Sequence, residues 1–157
     1  MGRKNQGTSR QQKTLQVWTY EQARAADPYL GSIVRSLRER RLEAVHAHQA
    51  VNRLEKAPGR PDRHGIIALE EARREARQAN ERFKETLHEL LDMDVYSLDP
   101  VQGLALVPFV HEDQLAWFVY NVFDRDPIRF WRYHTDALET RRPLSEVTQQ
   151  HDGSLIV

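Results

Sequence analysis

From Leu30 to Leu54 the chain carries Leu30, Val34, Leu37, Arg41, Ala44, His48, Val51 and Leu54 at steps that alternate between three and four. That spacing keeps these positions on one narrow face of a helix. A second stripe, Leu69, Arg73, Ala76, Asn80, Phe83, Leu87 and Leu90, does the same further on. Between them lies APGRPDRHG, residues 57–65, with two prolines and two glycines. Proline removes helical N–H donors and glycine permits left-handed turns, so this segment breaks the helix. The pattern predicts long helices over about 28–56 and 66–92, folded back on each other as an antiparallel hairpin. Folding at the connector sets Leu54 opposite Leu69, Leu37 near Leu87 and Val34 near Leu90. The seam is then apolar at both ends and polar in the middle. Before it, Thr19 and Gln22 have the spacing of a capping box. Asp27-Pro28 reads as an N-cap followed by a proline in the first turn. A short helix over about 20–26 and a bend at Asp27 follow.

After Asp92 the apolar period changes. Strands are predicted over about 95–98, 104–109, 115–123 and 128–134, joined by short polar turns that require antiparallel neighbours. The expected fold class is α+β: a long, coiled-coil-like antiparallel helical hairpin followed by a small three- to four-stranded antiparallel sheet. Pro108 suggests an edge position or a bulge, because proline cannot donate to a ladder. LAWFVYNVF, residues 115–123, is apolar on both faces. Leu115, Trp117 and Val119 share one face; Ala116, Phe118, Tyr120 and Val122 share the other. A sheet with one wet face should alternate apolar and polar, so both faces of this one need cover. The hairpin can supply one. The other falls to the segment around Leu15, Val17 and Trp18, to the C-terminal tail, or to a second subunit. The last option, with a hairpin longer than the sheet can cover, leads to the expectation of a homodimer, with a further protein partner possible.

Composition narrows the functional classes. The 157 residues contain 23 basic and 23 acidic side chains, a net charge of zero. A general nucleic-acid binder draws its affinity from excess positive charge, so nucleic acid is not the expected partner. With no cysteine, disulfides, thiolate metal sites and thiol catalysis are excluded. No apolar run reaches the ~18 residues of a membrane span, and no secretory signal is visible, which makes the cytoplasm the expected compartment. Residues 1–14 read as a disordered basic tail carrying Arg3, Lys4, Arg10 and Lys13. Residues 15–144 read as a single domain and 145–157 as a loose tail.

Three groups of residues could carry chemistry. Glu43/His46 and Glu85/His88 have the Glu-x-x-His spacing that binds metal inside helical bundles. In the hairpin pairing above they are offset by about eleven residues, roughly 16 Å. Solvated charge explains them, and no metal or other cofactor is expected. His111, Glu112 and Asp113 lie in one turn and Asp124, Arg125 and Asp126 in another. A meander puts these turns at opposite ends of strand 115–123, so they form no shared catalytic site. Arg129, Arg132, His134 and Arg142, with Asp136 and Arg141 nearby, are the candidate ligand-binding residues. Arginines forked on a sheet can grip a carboxylate or phosphate. Strict alternation would put Arg129 and Trp131 on one face, Arg132 and His134 on the other. No Walker, Gly-x-Ser-x-Gly or HExxH motif is present, and no catalytic residue is assigned. Three functions follow: a non-enzymatic interaction or scaffold module acting as a homodimer; a small-anion or metal-binding protein, enzyme or not, with its site on the C-terminal sheet; and, against the charge balance, nucleic-acid binding through the basic tail.

Several segments also resemble a known family. They are Trp18 to Ala23 (WTYEQA), Gly103 to Pro108 (GLALVP), Asp124 to Trp131 ending in Ile128-Arg129-Phe130-Trp131, and Arg142-Pro143-Leu144. In order and spacing they resemble the bacterial domain-of-unknown-function family numbered 2203, over roughly residues 17–144. Its members typically read Gly-Leu-Val-Asp-Phe-Pro, Trp-x-Leu-Gly-Glu, Ile-x-Tyr-Trp-His and Arg-x-Pro-Leu. The resemblance implies a helical hairpin with a small sheet and brings no established activity. Two positions depart from the pattern. Leu106 stands where the family often has Asp, and Arg132 where it often has His, so a ligand site built on those residues would be altered here.

Overall fold

The computed structural model describes residues 14–147. The expected basic tail and most of the expected loose tail lie outside these residues. Three helices precede a five-stranded sheet: α1 (Tyr20–Ala25), α2 (Asp27–Glu55), α3 (Arg63–Asp92), β1 (Tyr96–Asp99), β2 (Leu104–His111), β3 (Gln114–Asn121), β4 (Ile128–Tyr133) and β5 (Arg142–Pro143). The sheet is an antiparallel meander in the order β1-β2-β3-β4-β5. The fold is α+β, with α2 and α3 packed as the expected hairpin. No helix among the described residues is long and apolar enough to cross a membrane.

Local chemistry sets the helix ends. Thr19 and Gln22 form the reciprocal capping box at α1. Asp27 does not cap α2. Ala26 holds the N-cap position without a side-chain bond, and the Asp27 carboxylate accepts a hydrogen bond from the Tyr120 hydroxyl at 2.5 Å instead. That bond ties the start of α2 to β3. Burial, followed by this carboxylate, pushes the Tyr120 phenol well above its ordinary pKa. Helix α3 begins three residues before the expected Ile66, because the Asp62 carboxylate accepts from the Gly65 N–H at 2.8 Å and caps the helix there.

The hairpin is held in two ways. Near the sheet, Leu30, Ile33, Val34 and Leu37 of α2 and Leu90 of α3 join Ala105, Val107, Phe109, Ala116, Phe118, Tyr120 and Trp131 in one core, with Leu87 packed against it. Phe109 and Phe118 stack at its centre, their ring centroids 3.9 Å apart. Toward the connector the only buried apolar residues are Ala44, Val51, Ala72 and Ala79. Alanine lets the two backbones approach closely there. The polar seam residues turn outward: Arg41 lies over the Phe83 ring, and Arg73 pairs with Glu55 at 3.0 Å. Leu54, expected to face Leu69 across the seam, is 38% exposed.

The outer face of the sheet carries a second, smaller cluster. Leu106, Trp117 and Val119 are buried there, with Leu15, Tyr96, Leu98, Leu115 and Phe130 against them. Of the three covers expected for this face, the N-terminal segment supplies one. The Gln16 N–H donates to Asp94 Oδ2 at 2.9 Å, and the Trp18 N–H donates to the Pro108 carbonyl at 2.7 Å. Strand β1 reaches only as far as Leu106 on β2, so β2 is locally an edge at Pro108. The missing N–H therefore costs no ladder bond. Residues 145–147 do not begin a loose tail: Val147 is buried in the main core.

Strand β2 starts from Gly103 at φ +68°, where an added Cβ would lie 2.5 Å from Val122 Cγ1. Both the left-handed backbone and the close approach require glycine. Gly103→Ala should therefore lower unfolding stability by about 1–3 kcal/mol, read as a fall in the urea midpoint with an unchanged denaturant slope.

Candidate functional site

The four arginine and histidine candidates do not form one site; a bulge separates them. Val119 pairs with Phe130 and Tyr120 with Ile128, so Arg129 is an extra residue on β4. A bulge leaves its extra residue unpaired and resets the alternation beyond it. Ile128 and Trp131 consequently both face the main core, whereas Arg129 turns to solvent, with 55% of its side chain exposed and Asp124 at 3.9 Å. The expected sharing of a face by Arg129 and Trp131 fails for this reason.

Arg142 is committed elsewhere. Its Nε and Nη2 donate to the two oxygens of Asp136 at 2.8 and 3.0 Å. Its guanidinium lies 5.4 Å from the Trp131 ring centre and 4.8 Å from that of Tyr133. The bidentate bond with Arg142 holds the Asp136 carboxyl down at about 2, helped by the Tyr133 N–H. The same pairing raises the Arg142 guanidinium. The arginine clasps β5 to β4 across two aromatic rings and does not offer its fork to a ligand.

Arg132 and His134 do come together, on the outer face. Arg132 pairs with Trp117 in the ladder, which places it beside the small apolar cluster. Leu15, Tyr96, Leu106, Leu115, Trp117, Arg132 and His134 line a cavity of about 540 Å³. The two positions that depart from the family pattern, Leu106 and Arg132, thus line the same cavity. Trp117 and Tyr96 meet edge to face, with centroids 5.4 Å apart. The Trp117 indole donates to His134 Nδ1 at 3.1 Å. An indole N–H can only donate, so Nδ1 is the acceptor and the proton of the neutral imidazole sits on Nε2. His134 itself is exposed and stands at the mouth.

Arg132 is only 4% exposed. Its Nη1 donates to the carbonyls of Tyr133 and Asp136 at 3.2 and 3.1 Å. Its Nε is buried and has no hydrogen-bond partner. Buried charges are ordinarily paired, yet the nearby Asp136 gives both oxygens to Arg142. Two other hollows, one along the hairpin beside His48 and one between Arg24 and Arg125, contain no such orphaned polar atom.

The remaining candidates stay apart. Glu43, His46, Glu85 and His88 are all exposed. No three His, Asp or Glu residues gather as metal ligands among the described residues. Glu112 and Asp113, both at positive φ, form the two-residue hairpin turn between β2 and β3. Asp124 to Asp126 close the opposite end of β3.

A family model described as Uncharacterized conserved protein (DUF2203) matches residues 16–144. No curated protein and no solved structure matches the chain.

The Asp136 clasp has a defined pH signature. Its folded pKa lies below the ordinary 3.8, so its contribution to stability is present at neutral pH and is lost as pH falls through the folded value. Asp136→Asn should lower Tm at pH 7. The gap from the parent should stay level down to about pH 5 and close between about pH 4 and pH 2, followed by circular dichroism melting.

Proposed function

We propose that this chain, which belongs to the family of uncharacterized conserved proteins DUF2203, is a small-anion-binding protein whose site is the Arg132 cavity on the outer face of the sheet. One observation carries the reading: Arg132, 4% exposed, lines a mostly apolar cavity with its Nε buried and unpartnered. A buried, incompletely satisfied cation costs stability. A ligand supplying negative charge and acceptor oxygens would offset that cost. The cavity also has the general form of a ligand pocket, mostly apolar walls with a few convergent polar groups. The reading is of binding.

The reading is tested by melting the full chain, at low ionic strength, in a panel of small organic and inorganic anions. At least one should raise Tm by several degrees, since a ligand at 100 times its Kd stabilises by about 2.7 kcal/mol. The rise should vanish in Arg132→Leu and persist in Arg129→Ala. No stabilisation by any anion, or equal stabilisation of the Arg132→Leu variant, would overturn it.

A second reading, self-association through the hairpin, has its own support. Along α2 and α3 toward the connector, Leu42, Val45, Leu54, Ile66 and Ile67 are each more than a third exposed. Such a projecting arm suits an interaction module. Sedimentation velocity at micromolar concentration should give a dimer mass; a clean monomer would remove this reading and leave the first untouched.

A further inference from the structure

We propose that the Arg132 cavity takes a monocarboxylate carried on a flat or short apolar body, an aryl or short-chain carboxylic acid, in preference to a phosphate ester. The inference rests on the anion-binding reading and adds the chemical class of the ligand.

The first reason is which edge of the guanidinium lacks a partner within the protein. Nη1 is spent on two backbone carbonyls, and Nε has no partner. What remains is the side-on edge formed by Nε and Nη2. That edge presents two parallel N–H donors, the geometry that pairs with the two oxygens of one carboxylate. Arg142 uses this same edge on Asp136, a worked instance of the pairing within the molecule.

The second reason is charge. Among the described residues, Arg132 is the only Arg or Lys lining the cavity. Asp136 gives both oxygens to Arg142, which leaves the single charge of Arg132 without a carboxylate partner. One carboxylate neutralises it. A phosphate monoester, with roughly 1.5 to 2 negative charges near neutrality, would leave charge buried and unpaired. Among the described residues, no glycine-rich loop or helix N-terminus lines the cavity to take the rest.

The third reason is the wall. Leu106, Leu115 and the Tyr96–Trp117 pair offer an apolar surface with aromatic edges and faces. A ring or alkyl body would bury against it while its carboxylate reached Arg132. The His134 Nε2–H, fixed by the Trp117 bond to Nδ1, supplies one further donor at the mouth.

Isothermal titration of the full chain with benzoate, hexanoate, phenyl phosphate and inorganic phosphate separates the possibilities. Benzoate or hexanoate should bind at least tenfold tighter than phenyl phosphate, and binding should weaken at least tenfold in Arg132→Gln but not in Arg129→Gln. As a readout that needs no variant, benzoate should shift the Arg132 Nε–H and Trp117 indole N–H resonances most in nitrogen-15 spectra of the parent protein. Arg132-dependent binding of phenyl phosphate alone would refute the carboxylate class and keep the anion site. Binding of none of the four would refute both. Benzoate binding that leaves those two resonances unmoved would place the ligand elsewhere and refute the proposal.

Discussion

A strand that is apolar on both faces must be covered on both, and β3 is such a strand. Its inner face, with Ala116, Phe118 and Tyr120, settles onto the proximal half of the hairpin. Its outer face, with Trp117 and Val119, has, among the described residues, only the segment around Leu15 and its own neighbours in the sheet. Burial of apolar surface drives both contacts, but the two covers differ in quality. Two long helices seal the inner face. One short extended segment, anchored by the Gln16 and Trp18 backbone bonds, closes the outer face incompletely. The incomplete closure is the cavity, and the arginine at its wall follows from the pleat. With Phe130 and Arg132 two residues apart on β4, one outer-face position covers the cluster and the next borders the opening.

The hairpin, the meander and the two faces of β3 were legible from periodicity, because alternation and the three-four spacing report directly on which side of an element is dry. The capping box at Thr19 was legible for the same local reason. Asp27 was misread because the expectation weighed only its own helix. Tyr120 is 93 residues away, and no local pattern announces that a cap residue will be claimed by a strand. The β5 strand was missed because two residues carry no periodicity. Their pairing with Phe130 and Trp131 depends on the Asp136–Arg142 clasp.

The candidate site was half visible. Arginine and histidine at alternate positions of β4 suggested a polar face, and Arg132 with His134 does form one. The grouping with Arg129 broke on the bulge, whose signature in sequence is weak: nothing about Ile128-Arg129-Phe130 says that the ladder skips a residue there. The grouping with Arg142 broke on competition, since Asp136 outbids any ligand for that fork. The part sequence could not supply was the partnerless Nε of Arg132, which depends on how two carbonyls, a neighbouring carboxylate and a tryptophan fall around one guanidinium. Leu106 and Arg132 stood out separately as departures from a family pattern. Both line the same cavity.

The central claim is that Arg132 sits buried with an Nε that no acceptor of the described residues satisfies. A crystal structure of the protein grown with benzoate tests it directly. The account predicts Arg132 in the same buried position, Nη1 on the Tyr133 and Asp136 carbonyls, and two oxygens of the additive at about 2.8 Å from Nε and Nη2. An Arg132 side chain swung out to solvent, or an Nε already satisfied by an oxygen of the protein itself, would contradict it.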